Sequence, residues 1–182
     1  MLLLYAVAFG LVAGYLLGGR LEGLGSMGFR WAPLAIAGFV VQLLIFGPLE
    51  GIVGDAGLPL YLGSTIATLA AVARNVRIPG LVLVVVGTIS NLAAIVANGG
   101  VMPADPGAAR LAGIEHGPGF SNSAIVGDPV LQPLTDVFAL PSPIPLANVF
   151  SVGDVLIGLG VAIAIASGMR LARPVRGDTS YD

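Results

Sequence analysis

Five apolar runs, at roughly 2–19, 31–47, 58–73, 80–97 and 149–169, decide which solvent this chain can fold in. A helix rises about 1.5 Å per residue and bilayer hydrocarbon is about 30 Å thick, so runs of this length are the size of membrane spans. Only 10% of the residues are charged, 56% are hydrophobic and the mean hydropathy is +0.96. Soluble domains carry about 25% charged residues, and a water-facing surface cannot be built from so few. The expected fold is an all-α membrane protein, a single domain over 1–182 forming a bundle of about five transmembrane helices. The third run is the weakest, being short and carrying Ser64, Thr65 and Thr68.

The arginines orient the bundle. Arg20 and Arg30 lie between runs one and two, Arg74 and Arg77 between three and four, and Arg170, Arg173 and Arg176 in a tail at 170–182. Arg110 alone falls on the other side. Cytoplasmic segments keep excess Lys and Arg, so the N-terminus is expected outside and the C-terminus in the cytoplasm. Glu50, Asp55, Asp105, Glu115, Asp128 and Asp136 fall outside. No positive residue precedes run one and Arg20 follows it, the charge order of a retained anchor rather than of a cleaved signal peptide.

Gly10, Gly14 and Gly18 repeat at four-residue spacing on run one, a face suited to close helix packing, within the chain or between copies in a homo-oligomer. Gly160, Ala164 and Gly168 make a similar stripe on run five. Gln42 in run two requires a partner inside the bundle, because an unpaired amide in hydrocarbon is costly. Gly87, Asn91, Ala94 and Asn98 form a small, polar stripe on run four that must face protein or a wet cavity.

The outer loop, 98–148, is too long for a mere connection and is expected to form an ordered extracytoplasmic cap. Asp105 before Pro106 reads as an N-cap, with a short helix running to Leu111 and stopping near Gly113. Pro141, Pro143 and Pro145 favour a stiff, extended return to the membrane. Asn148 to Asp154 then opens run five, and Asp154 is the one acid committed to a span. An ionisable residue in a membrane is by default a candidate functional group. Ser151 and Asp154 also have capping-box spacing, and a first-turn aspartate suits the helix dipole, so capping alone can account for Asp154.

Three stretches, Ser90-Asn-Leu-Ala-Ala94, Asn98-Gly-Gly-Val-Met-Pro103 and Phe150-Ser-Val-Gly-Asp154, resemble a bacterial family of multipass membrane proteins known only as a domain of unknown function. The resemblance implies a bacterial plasma membrane and no particular activity. Gly87 to Ala94 and Phe150 to Asp154 also resemble, in order and orientation, the Gly-Asn-x-x-Asp and Phe-Asn-x-Ala-Asp motifs of lipoprotein signal peptidase, an intramembrane aspartic peptidase. That likeness implies a catalytic role for Asp154, but Ala94 stands where the first catalytic aspartate belongs. A dyad needs two carboxylates sharing a proton, so Asp136, Asp128 or Glu115 would have to fold back from the outer loop.

With no cysteine and a lone histidine, His116, the chain has no thiolate chemistry and no ligand set at metal spacing, and no cofactor is implied. Scattered arginines and a net charge of −2 offer no basic face, which excludes nucleic acid. The leading expectation is a non-catalytic membrane module that binds a lipid, peptide or protein partner at its outer end, through Asn91, Asn98, Asn148, Ser151 and Asp154. The alternative is an aspartic-type peptidase using Asp154 with an outer-loop acid such as Asp136, and the third a small transporter subunit.

Overall fold

The computed structural model describes residues 2–49, 51–114 and 123–171. Glu50, Glu115, His116, Arg173 and Arg176 lie outside the described residues. Helices account for most of the rest: α1 (Leu2–Leu16), α2 (Glu22–Gly25), α3 (Ala32–Ile45), α4 (Gly57–Ala73), α5 (Leu81–Ala97), α6 (Pro106–Ala112) and α7 (Val152–Met169). Two are long and apolar enough to cross a membrane, α7 and the continuous segment Gly54–Ala73, while α1, α3 and α5 are shorter apolar helices. The third run, expected to be the weakest, is thus one of the two longest. A 3-10 turn, Gly54–Ala56, leads straight into α4 and lengthens it.

Small residues set the helix contacts. Gly10 backs onto Ala162, where a Cβ would come within 2.9 Å of the Ala162 Cα, and Gly14 backs onto Met169, so α1 and α7 run parallel. The expected packing face of α1 is therefore occupied at Gly10 and Gly14 by the same chain. Gly87 lies against Ile157 and Gly80 against Gly160, which makes α5 and α7 antiparallel. In the α3–α4 pair, also antiparallel, Gln42 Nε2 donates to Thr65 Oγ1 at 3.1 Å and Phe46 meets Tyr61 edge to face at 5.1 Å. Gln42 thus has the partner its position demands. Large apolar side chains point the other way: Phe9 is 67% exposed, Leu16 83% and Val96 63%.

One end of the helices carries a cap, built between α5 and α7. Asp105 caps α6, its Oδ1 accepting from Ala108 N–H at 2.8 Å, and Gly113 closes the helix at φ 68°, as the sequence leads one to expect. Ala104, Ala108, Ala109, Ala112 and Val149 form a small buried core there. The expectation of a purely α fold needs correction, because the cap includes two short sheets. Strand β1 (Met102–Pro103) pairs in parallel with β2 (Ser123–Ala124), and β3 (Phe138–Leu140) pairs antiparallel with β4 (Asn148–Phe150). Buried loop backbone must find hydrogen-bond partners, and these ladders supply them. Run five accordingly starts as a strand, with its helix delayed to Val152.

The proline segment is turned rather than extended, Ile144 N–H donating to Pro141 O at 2.9 Å and Ala147 N–H to Ile144 O at 3.1 Å. Proline's fixed φ is shared by turns and extended chain, so the composition did not discriminate between them. Arginines collect at the opposite end of the bundle. There Arg20 N–H donates to Met169 O at 2.8 Å, and Arg30 N–H to Asn75 Oδ1 at 2.8 Å.

Candidate functional site

At the capped end, the first turn of α7 meets the last turns of α5. Ser151 is fully buried and closes a reciprocal capping box: its Oγ accepts from Asp154 N–H at 3.0 Å, and Asp154 Oδ2 accepts from Ser151 N–H at 3.0 Å. Asn91 completes the cluster. Its Nδ2 donates to Asp154 Oδ1 at 2.8 Å, and its Oδ1 accepts from Ser151 Oγ at 2.8 Å. The approach requires Gly153, since a Cβ there would overlap the Asn91 side-chain oxygen.

Asp136 reaches the same place from the cap. Its backbone bridges to the β1 segment, with Asp136 N–H donating to Pro103 O at 2.9 Å and Asp105 N–H donating to Asp136 O at 3.0 Å. That anchoring sets its carboxyl over the start of α7. Asp136 and Asp154 line one cavity of about 170 Å³, together with Ser123, Asn148, Phe150 and the first residues of α1, Leu2 and Leu3. Ser123 Oγ donates to Asp136 Oδ2 at 3.1 Å. Asp136 is 6% exposed. Burial first, and the neighbouring Asp154 second, push its carboxyl up to about 7, against the opposing pull of the Ser123 hydroxyl.

Of the residues singled out in the sequence, Asn91, Ser151 and Asp154 thus form one hydrogen-bonded cluster, and Asp136 and Asn148 share the cavity with Asp154. Asn98 stands apart. It ends α5 and pins the cap, its Nδ2 donating to Ala94 O at 2.7 Å and to Val130 O at 2.8 Å while its Oδ1 accepts from Val130 N–H. Ser123, Leu2 and Leu3 were missed. One serine among several in a long loop and two leucines in an apolar run carry no signal that could have pointed to them.

Chemically, the cavity offers two carboxyl groups, a hydroxyl and an amide to a group that exchanges hydrogen bonds or carries positive charge. Among the described residues no three His, Cys, Asp or Glu side chains converge as a metal ligand set would require. Fold and site together define a mostly helical protein, with two helices able to cross a membrane and an acidic, polar cavity beneath a cap. The chain belongs to DUF5317, a family of unknown function, whose profile matches residues 26–166. No curated protein and no solved structure matches it.

Proposed function

We propose that this protein is a non-catalytic module of a bacterial plasma membrane that spans the bilayer five times, with its N-terminus outside, and binds a partner or lipid group at its outer, capped end. Large apolar side chains turned outward over glycine- and alanine-lined contacts support the membrane reading, because a water-soluble bundle buries them instead. The alternating directions of the apolar helices, with α1 and α7 parallel, are those that five successive crossings require.

The observation that carries the binding reading is the cavity under the cap. At about 170 Å³ it suits one polar head or side chain, whereas pockets for whole small molecules run to about 300–1,000 Å³. Asp154 is engaged by Asn91 and Ser151, which leaves it holding the site's shape while Asp136 and Asn148 meet the ligand. The test compares the lipids and proteins that co-purify with the wild type and with Asp136→Asn and Asn148→Ala, by mass spectrometry. Loss of the same species from both variants supports the reading, and identical inventories sink it.

A second reading, aspartic-type hydrolysis, is favoured by one specific feature: a cavity shared by two carboxyls, one of them held protonated up to about 7. One acid beside one carboxylate is what a proton-sharing dyad needs. Full turnover of a membrane peptide by Asp154→Asn would end this reading.

A further inference from the structure

The arginine end of the bundle carries a cavity of its own. The turns joining α2 to α3 and α4 to α5 meet there around about 510 Å³ of space, lined by Arg30, Arg74 and Arg77 beside Asn75 and Val76. All three arginines are exposed, and no acid lines the cavity. Among the described residues the one ion pair is Arg20 with Glu22, at 3.4 Å, and neither residue lines this cavity.

Asn75 explains why the arginines converge. It is 6% exposed and spends its amide on backbone, with Oδ1 accepting from Arg30 N–H at 2.8 Å and Nδ2 donating to Arg30 O and to Ala71 O, each at 2.7 Å. A buried amide used at both ends clamps the Arg30 turn onto the end of α4 and sets Arg30 beside Arg74 and Arg77. Holding three cations together without a counter-charge is unfavourable unless an anion joins them.

We propose that this cavity binds the phosphate of an anionic phospholipid. Guanidinium forks pair bidentately with phosphate oxygens. Depth in the bilayer selects a lipid over a free anion. Trp31, the sole tryptophan, is 55% exposed next to Arg30, and an exposed indole at a helix end sits at headgroup level. Val76 exposes apolar surface on the same rim, and α3 and α4 flank the site with the apolar faces that acyl chains would cover. The site lies opposite the capped-end cavity and needs only that the chain sit in a bilayer.

Native mass spectrometry of the full chain in detergent, with equal phosphatidylglycerol and phosphatidylcholine, tests the assignment. Phosphatidylglycerol is expected to be retained about tenfold over phosphatidylcholine, about 1.4 kcal/mol, because the choline cation offsets its own phosphate and is repelled by the arginines. Arg74→Gln with Arg77→Gln brings the two lipids to near parity. Replacing Arg30, Arg74 and Arg77 together by Lys keeps the charge and removes the fork, so the amount of phosphatidylglycerol retained should fall several-fold. Undiminished retention there means general attraction between charges and overturns the proposal. Asn75→Ala keeps all three arginines and should weaken the preference several-fold while helical content by circular dichroism stays unchanged. Excess inorganic phosphate should leave the lipid bound, and displacement would assign the cavity to a free anion instead.

Discussion

Asn91, Ser151 and Asp154 divide between what neighbouring residues dictate and what only folding brings together. The capping box was legible because its two members sit three residues apart and their bond is local. Asn91 joins from 60 residues away, and its helical stripe said only that it must face protein or a wet cavity. Ser151→Ala removes a helix cap and strands the Asn91 oxygen, so it should cost about 1–2 kcal/mol, measurable as a lower thermal midpoint in detergent. Asp136 adds a pH dependence. Its carboxyl, in the cap, is raised from 3.8 to about 7, so the folded state binds its proton more tightly than the unfolded chain does. The resulting stability is full below about pH 4 and is lost as pH rises to about 7, up to about 4 kcal/mol in all. Asp136→Asn should flatten that decline, and thermal midpoints from pH 4 to 8 check it. A wild-type midpoint that rises across this range would contradict the burial of the acid.

Helix contacts turn on which glycines face a neighbour. A Cβ at Gly160 would lie 2.5 Å from Gly80 O and 2.8 Å from Val84 Cγ2, whereas one at Gly63 on α4 meets nothing within 4 Å. Gly160→Val should therefore destabilise the α5–α7 pair by about 1–3 kcal/mol through overpacking. Gly63→Ala should instead stabilise α4 by about 0.5–1 kcal/mol through reduced chain entropy. Chemical denaturation of the two variants in the same detergent compares them, and equal effects would mean that α5 and α7 are not in close contact. The glycine spacing on runs one and five was readable as a packing face. Its partner was not, because any small-residue stripe fits any other until the helix directions are settled.

The proposed direction of the molecule across a membrane can be tested because the chain has no cysteine, so a single introduced thiol is labelled without background. Ser142→Cys in the cap should react with an impermeant thiol reagent applied to intact cells, and Ser26→Cys at the arginine end only after lysis. Both positions are exposed. Labelling of Ser26→Cys in intact cells would invert the proposed topology, and with it the identity of the leaflet that supplies lipid to the arginine cavity.

What the sequence determined by itself was local or compositional: apolar helices, a capped helix at Asp105, the Ser151–Asp154 box, and arginines gathered between particular runs. Each follows from propensity, spacing or charge along a short stretch of chain. Tertiary structure decided that Asp136 comes to the start of α7, because its place depends on backbone bonds to Pro103 and Asp105, more than thirty residues earlier. It also decided that Asn75 clamps Arg30, 45 residues away. A buried polar group must find a partner, but sequence separation does not say which one. Only the packed chain, in which every buried donor competes for the acceptors actually within reach, makes that choice.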